Sequence, residues 1–392
     1  MDALHPKTPS HVAEAVRWAA AEKTPLEVIG QGTKRAFGRP VQTTYTLDCS
    51  GLTGITLFEP DELVLSARAG TPLATIREAL EEANQEFQFE PADLGPLFGK
   101  RPGRGTLGGM LSTNISGPRR LKSGSARDHV LGVNAVSGRG ETFKSGGRVV
   151  KNVTGYDLSK GLTGAFGTLA VLTDITMKVL PKSETEATLV LHGLSDEEAC
   201  AAMAKAMGSS GEVSGAAHLP AGIEGKTART VLRLDGFETS VSARMNVLSA
   251  LFGGEQDRLD AATSRNLWAT IRDALPFAEN KNRVLWRISC TPGEGYAVAR
   301  DITSLSDARV FFDWQGGLLW LEMPDREPQE GLVRSAIAAN GGGHATLIRA
   351  EAATRAAVEV FQPQPVPLAA LTQRYRENFD PHGVLNPGRM NA

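Results

Sequence analysis

The chain reads as an α+β protein in two parts followed by a short tail, and three observations carry that reading. Glycine occupies 16 of the 70 positions from 99 to 168 against 42 of 392 overall, so the β-type runs in that region are separated by tight turns. Pro181-Lys182-Ser183-Glu184 then breaks the pattern. Beyond it alanine-rich helical stretches alternate with strands, the order expected of a small antiparallel sheet covered by helices. Finally, Gln362-Pro363-Gln364-Pro365-Val366-Pro367 is dense enough in proline to be expected as a stiff linker. The expected division is 1–182, a smaller α+β unit over 183–365, and a tail over 366–392. Two to three domains is also what roughly 150 residues per domain predicts for this length.

The elements follow in order from hydrophobic periodicity. Residues 10–22 place Val12, Ala15, Val16, Ala19 and Ala20 on one face, which predicts a first helix. Residues 25–29 predict a strand that runs directly into Gly30-Gln31-Gly32-Thr33-Lys34. Residues 44–48, 54–58 and 62–69 read as β, the last alternating Leu63, Leu65 and Ala67 before the turn Gly70-Thr71-Pro72. Leu73, Ile76, Leu80 and Ala83 then predict an amphipathic helix. Strands are expected at 130–137, 141–144 and 169–179 in the first part. In the second part they are expected at 187–192, 230–234, 284–289 and 318–323, with helices at 195–207 and 239–252. Residues 371–379 predict a last helix.

Composition excludes several classes. The 42 basic and 44 acidic residues leave a formal charge of −2, which argues against a nucleic-acid partner. No run approaches the roughly 18 apolar residues of a membrane-spanning helix. The N-terminus lacks a basic segment followed by an apolar one, so a cytoplasmic location is expected. Cys49, Cys200 and Cys290 form no CxxC unit and cannot supply four thiolates, so no iron–sulfur cluster is expected in this chain. The seven histidines include no HxH, HExxH or HxxxH pair, and no metal is expected.

Chemistry is expected in the glycine loops. Glycines at 30 and 32 behind a strand allow successive backbone N–H groups to converge on an oxyanion, with Thr33 and Lys34 adding a hydroxyl and a charge. Alone, this motif is as well explained by an ordinary strand-end turn. It is no dinucleotide fingerprint, because Arg35 stands where GxGxxG requires its third glycine. In the block from Thr106 to Gly117, Gly108-Gly109 permits close backbone approach to a planar ring, while Ser112, Thr113 and Asn114 offer short donors and acceptors. Gly161, Gly164 and Gly167 repeat the theme. Residues 100–127 carry seven cations and no acid, which reads either as a solvated face or as a patch for cofactor phosphates or an acidic partner.

The series Gly30-x-Gly32-Thr33, Ala69-Gly70-Thr71, Glu90-Pro91-Ala92-Asp93, the Thr106 block and the Gly161 block ending in Val179-Leu180-Pro181 resembles the FAD-binding domain of the vanillyl-alcohol oxidase and p-cresol methylhydroxylase (PCMH) superfamily. Val149 to Leu158, Trp286-Arg287, Gly342-Gly343-His344, Phe379-Asp380-Pro381 and Asn386-Pro387-Gly388-Arg389 resemble the glycolate oxidase subunits within it. The resemblance implies a two-part PCMH-type FAD-binding domain, an α+β cap domain and a tail packing back on the first. It implies FAD as cofactor, with Gly30, Gln31, Gly32, Thr33 and Lys34 at the pyrophosphate. Pro91, Thr106, Gly108, Gly109, Thr113, Asn114, Gly117, Gly164, Phe166, Gly167 and Val171 would line the rest, and Asn386 would return to the flavin's neighbourhood. No histidine lies in the Gly30 loop, so the FAD is expected to be non-covalent.

Oxidation of a 2-hydroxy acid needs a base, a carboxylate anchor and an electron acceptor. His344, Arg287 and, for charge on a reduced flavin, Lys151 are the candidates. The sequence departs from the superfamily's 2-hydroxy-acid dehydrogenases in lacking their paired HxxxxxxH histidines and Glu-His metal ligands; His344 stands alone. The expected role is therefore an FAD-binding subunit of a multisubunit glycolate dehydrogenase. Its implied partners are a paralogous catalytic flavoprotein, an iron–sulfur subunit and a small 2-hydroxy acid, with membrane contact only through the complex. The alternative is a cofactor-free scaffold that stabilises the paralogue.

Overall fold

The structure, a computed structural model, describes residues 2–149 and 155–391. The first helix, Pro9–Ala21, begins at Thr8, whose hydroxyl accepts the His11 amide, and buries Val12, Ala13, Val16 and Ala19. It packs beside a three-stranded parallel sheet of Asp2–Leu4, Tyr45–Asp48 and Leu26–Ile29, with Tyr45–Asp48 in the centre. A five-stranded antiparallel sheet follows, in the order Ile55–Glu59, Val64–Arg68, Ala170–Lys178, Val130–Ser137, Thr142–Gly146. Helix Leu73–Glu82 lays Leu73, Ile76 and Leu80 on this sheet, against the cluster that holds Leu65, Ala67, Ile175 and Met177.

The sheet of the second part is larger than the alternation in the sequence suggests. It has eight antiparallel strands in the order Gln256–Leu259, Thr185–His192, Arg229–Gly236, Gly215–Leu219, Arg309–Asp313, Leu318–Glu322, Leu285–Cys290, Gly343–Arg349. Four of these strands lie in segments where short or polar-mixed runs conceal the period of two. Successive side chains alternate between two covered faces. Leu189, Leu191, Leu232, Leu234, Leu319, Leu321 and Trp286 meet residues of helices Asp196–Met207, Glu238–Ser249, Gly295–Thr303 and Glu330–Ala339. Val190, Val231, Phe311, Leu318 and Trp320 turn the other way, onto helix Ala261–Arg272 and onto Phe37, Leu94, Leu97 and Ile115 from the first part of the chain. That second face is the joint between the two parts.

Charge also crosses the joint. Arg233 donates to both carboxylate oxygens of Glu90 at 2.8 and 3.0 Å. Arg119 lies within ion-pair distance of Glu86, Glu90, Glu186 and Asp235. The run of cations over residues 100–127 is therefore not one solvated face: Arg119 is buried in this network, whereas Arg120 lies over the Trp314 ring.

Two expectations are corrected at the level of elements. Residues 107–113 form a helix, Leu107–Thr113, where a glycine loop is expected; Thr106 caps it, and the Gly108-Gly109 pair sits in its first turn. The last helix starts at Val366 rather than within the 371–379 window, because proline is tolerated in a first turn whose N–H groups have no intrahelical acceptor. The linker reading of residues 366–367 therefore fails. Beyond this helix Asp380 accepts the Val384 and Leu385 amides, and the tail runs alongside Leu26–Ile29, with Leu26 N–H donating to Val384 O and Asn386 N–H to Leu26 O. Among the described residues no helix is long and apolar enough to cross a membrane.

Candidate cofactor cleft

Glycine decides how closely three backbone segments approach at the carboxyl end of Leu26–Ile29. A Cβ on Gly30 would stand 2.5 Å from Thr106 Oγ1, and one on Gly108 would stand 3.0 Å from the Ala69 carbonyl oxygen, to which Gly108 N–H donates at 2.7 Å. Gly32, at φ +68°, turns the chain in the left-handed region. The result is a cleft of about 810 Å³, open to solvent on one side, walled by the Gly30–Lys34 turn, by the first turns of Leu107–Thr113, and by Ala170–Lys178.

The cleft is cationic and polar at one end. Lys34 is within ion-pair distance of no carboxylate among the described residues, and burial lowers its ammonium to about 8, with Asp93 pulling partly the other way. Gln31 Oε1 is buried there without a hydrogen-bond partner. A half-buried cation without a carboxylate and an orphaned amide oxygen are costly unless a ligand meets them. Phe37, Phe166, Val171 and Leu172 supply apolar wall elsewhere. Cys49 also lines the cleft, but burial and then Asp48 push its thiol up to about 12.

Gly30, Gln31, Gly32, Thr33, Lys34, Thr106, Gly108, Gly109, Thr113, Phe166, Gly167, Val171 and Asn386 all stand on this cleft. Four expected residues do not. Pro91 bridges to Ser116 and accepts from Arg77. Asn114 ends Leu107–Thr113 in the left-handed region and accepts the Arg127 amide. Gly117 lies against Glu90 and accepts from Trp314 Nε1. Gly164, also left-handed, donates to Leu111 O. Each serves a turn or the joint, and small residues in a glycine-rich stretch look alike in sequence whether they face a ligand or a neighbouring backbone.

Ser112, named as a short donor and acceptor in the Thr106 block, lines the cleft, whereas sequence reasoning missed Phe37 and Arg389 as lining residues. The signal for Arg389 was present in the tail motif. Its guanidinium pairs with Glu27 at 2.8 Å and donates to the carbonyls of Arg35 and Phe37, while Arg35 itself pairs with Glu27. Asn386 completes the clasp: its Oδ1 accepts Val28 N–H and its Nδ2 donates to Phe166 O, both at 2.8 Å. Asn386→Ala is expected to cost about 2–3 kcal/mol, because it orphans a donor and an acceptor at once. Urea denaturation at neutral pH measures it, and a loss below about 0.5 kcal/mol would show that water replaces the side chain.

The reaction candidates are not brought to this cleft. Lys151 lies outside the described residues. Arg287, on Leu285–Cys290, is half-buried against Trp314 and Trp320, with ring centroids 4.7 and 5.9 Å from its guanidinium carbon. His344 is exposed on Gly343–Arg349, where cross-strand pairing sets Ser289 opposite His344 and Arg287 opposite Thr346, so His344 and Arg287 are diagonal neighbours. Burial, Arg287 and Arg120 in turn lower the His344 imidazole, which is therefore neutral at neutral pH. No group of three or more His, Cys, Asp and Glu side chains among the described residues could hold a metal ion.

A protein-family profile described as an FAD binding domain matches residues 3–146. The solved p-cresol methylhydroxylase superposes with a TM-score of 0.73 over 99% of this chain and 88% of that one at 14% identity, a likeness of fold. The glycolate oxidase subunit GlcE of Escherichia coli (strain K12) is 38% identical over 380 residues, covering 97% of this chain and 96% of that protein. The glycolate oxidase subunit GlcD of Bacillus subtilis (strain 168) is 26% identical over 188 residues, covering 48% of this chain and 38% of that protein. Fold, profile and cleft together define an FAD-binding flavoprotein of the PCMH type, an FAD-linked oxidoreductase of the glycolate oxidase kind. The basic, glycine-walled cleft fits that cofactor. Within that class, the chain belongs to the family of the glycolate oxidase subunit GlcE.

Proposed function

We propose that this chain is the FAD-binding subunit of a multisubunit dehydrogenase that oxidises glycolate, or a close 2-hydroxy acid, to the 2-oxo acid, with a paralogous flavoprotein and an iron–sulfur protein as partners. The observation that carries it is the cleft in which Lys34 and Gln31 Oε1 lack protein partners at the end of a glycine turn. FAD, when bound, supplies a two-electron acceptor. The chain's own contribution there is to hold. Lys34 and the amides of residues 30–34 would meet the diphosphate, and Phe166, Val171 and Leu172 would cover apolar surface. The tail residues Asn386 and Arg389 keep the turn in place. Binding is non-covalent in this reading: the turn carries no histidine, and Cys49, held as a thiol, is a poor nucleophile.

The separation of Arg287 and His344 from the cleft favours one second reading, in which the subunit binds flavin and structures the complex while a partner performs the oxidation. One experiment separates them. The full chain is purified, desalted, and its visible spectrum recorded before and after glycolate is added without oxygen. A flavin spectrum bleached by glycolate supports turnover in this chain, and an unchanged flavin spectrum supports the second reading. Desalted, folded protein without flavin absorbance overturns the flavin-binding proposal and leaves a scaffold.

A further inference from the structure

A further cavity, of about 650 Å³, opens at the joint between the two parts and shares no lining residue with the cofactor cleft. Helix Leu73–Glu82 gives it Arg77 and Leu80, and the short strand Gln85–Glu86 gives it both of its residues. Phe87 and Pro91 add apolar wall, and Arg272, the last residue of Ala261–Arg272, lines it from the second part of the chain. Three of its cations are paired: Arg119 with Glu86 at 2.9 Å, Lys182 with Glu81 at 3.0 Å, and Arg272 with Asp273 at 2.7 Å. Arg77 differs. Its Nη2 donates to the Pro91 carbonyl at 3.0 Å, and no carboxylate lies within ion-pair distance of it among the described residues.

Three groups on this cavity are left short of partners, and they do not ask for the same one. The half-buried Arg77 guanidinium is lowered by burial and then by Arg272, with Asp273 and Asp93 pulling the other way. The Glu86 carboxyl is raised by burial, although Arg119 opposes, and Glu90 adds to the rise. Gln85 is only 7% exposed; its Nε2 donates to Pro60 O at 2.7 Å, while its Oε1 is buried with no hydrogen-bond partner. Each group in that condition carries a desolvation cost that nothing in the fold returns. An anion would relieve Arg77, and a cationic donor would relieve Glu86 and Gln85. A ligand that carries both relieves all three and adds no net charge to the joint.

We propose that this cavity binds a free α-amino acid, with the carboxylate on Arg77 and the ammonium on Glu86 and Gln85. A guanidinium fork matches a carboxylate, and an ammonium has three donors to divide between acceptors on two neighbouring residues. Leu80, Phe87 and Pro91 favour an aliphatic side chain over a charged one. A simple anion would meet Arg77 but stand against Glu86 and Glu90, and a simple cation would meet Glu86 but stand against Arg77 and Arg272. The site goes beyond the function proposed above and does not depend on it.

The test is isothermal titration of the full chain with L-leucine, with 4-methylpentanoate, which lacks the ammonium, and with 3-methylbutylamine, which lacks the carboxylate. Saturable binding of leucine is expected, with each analogue weaker by about tenfold or more. Arg77→Met is expected to weaken leucine by about tenfold or more and to leave the amine no weaker than in the parent. Saturating leucine should also raise the thermal midpoint of the parent and not that of R77M. No saturable heat from leucine in the parent, an analogue that binds as tightly as leucine, or a folded R77M protein with parental leucine affinity overturns the proposal. Should R77M fail to fold, the three-ligand comparison on the parent decides by itself.

Discussion

Replacing Arg233 by methionine is expected to remove about 3–5 kcal/mol of folding stability, the usual cost of deleting one partner of a buried ion pair. Arg233 is almost wholly buried, donates twice to Glu90 and lies over the Trp268 ring at 4.5 Å. Without it the Glu90 carboxylate stays in the joint with Arg119 as its remaining cation, at 3.8 Å. The pH dependence follows from the same contact. Burial by itself raises the Glu90 carboxyl, but Arg233 and Arg119 outweigh burial and hold it down to about 2, below its ordinary value of 4.5. A folded-state value below the unfolded one stabilises the protein above the unfolded value, and that stabilisation fades as pH falls from about 4.5 toward 2. Urea midpoints of the parent and the variant at pH 7 and at pH 3 measure both effects. The gap between the two proteins should shrink at the lower pH, and an equal gap at both would remove Glu90 from the account. The double variant E90Q/R233M should recover part of the loss, since it leaves no lone buried charge.

Lys34→Met is expected to weaken FAD binding by about 1.5–3 kcal/mol, the range for a hydrogen bond to a charged group, or roughly 10- to 150-fold. The residue sits where the Gly30 turn enters the cleft and has no carboxylate to satisfy it there. Its lowered value of about 8 also sets a direction for pH. Below that value the ammonium is already charged in the free protein. Above it, binding an anionic diphosphate requires uptake of a proton, so affinity should fall as pH rises past 8, approaching tenfold per unit. Quenching of flavin fluorescence on titration with flavin-free protein reads the affinity. A parent protein whose affinity is flat from pH 7 to pH 9.5, or a K34M protein with parental affinity, would show that the diphosphate is held by backbone amides alone.

Local structure was legible residue by residue where a period was clean. The helix Pro9–Ala21 and the strand Val130–Ser137 fall within a residue or two of their expected bounds, because 3.6- and 2-residue periods are written by neighbours in the chain. The turn from Gly30 to Lys34 was equally legible, since only glycine permits the approach to Thr106 and the left-handed step at residue 32. Helix Leu107–Thr113 was not, because a glycine pair is a poor helix former in isolation and is kept helical here by the Thr106 cap and by Gly108 N–H donating to Ala69.

The sequence by itself determined the class of the chain, the cofactor its loops suit, and the segments that supply the cleft. Only the tertiary structure decided which glycines face the cleft and which, like Gly117 and Gly164, face neighbouring backbone. It also decided that Arg389 returns to lock the turn at Glu27, and that Arg287 and Arg120 both lie over Trp314, with His344 diagonal to Arg287, away from the cleft. The reason is physical: periodicity and turn chemistry are short-range and survive in any window of the chain. The meeting of residues more than 100 positions apart is set by strand register and by burial of shared apolar faces, which no single window contains.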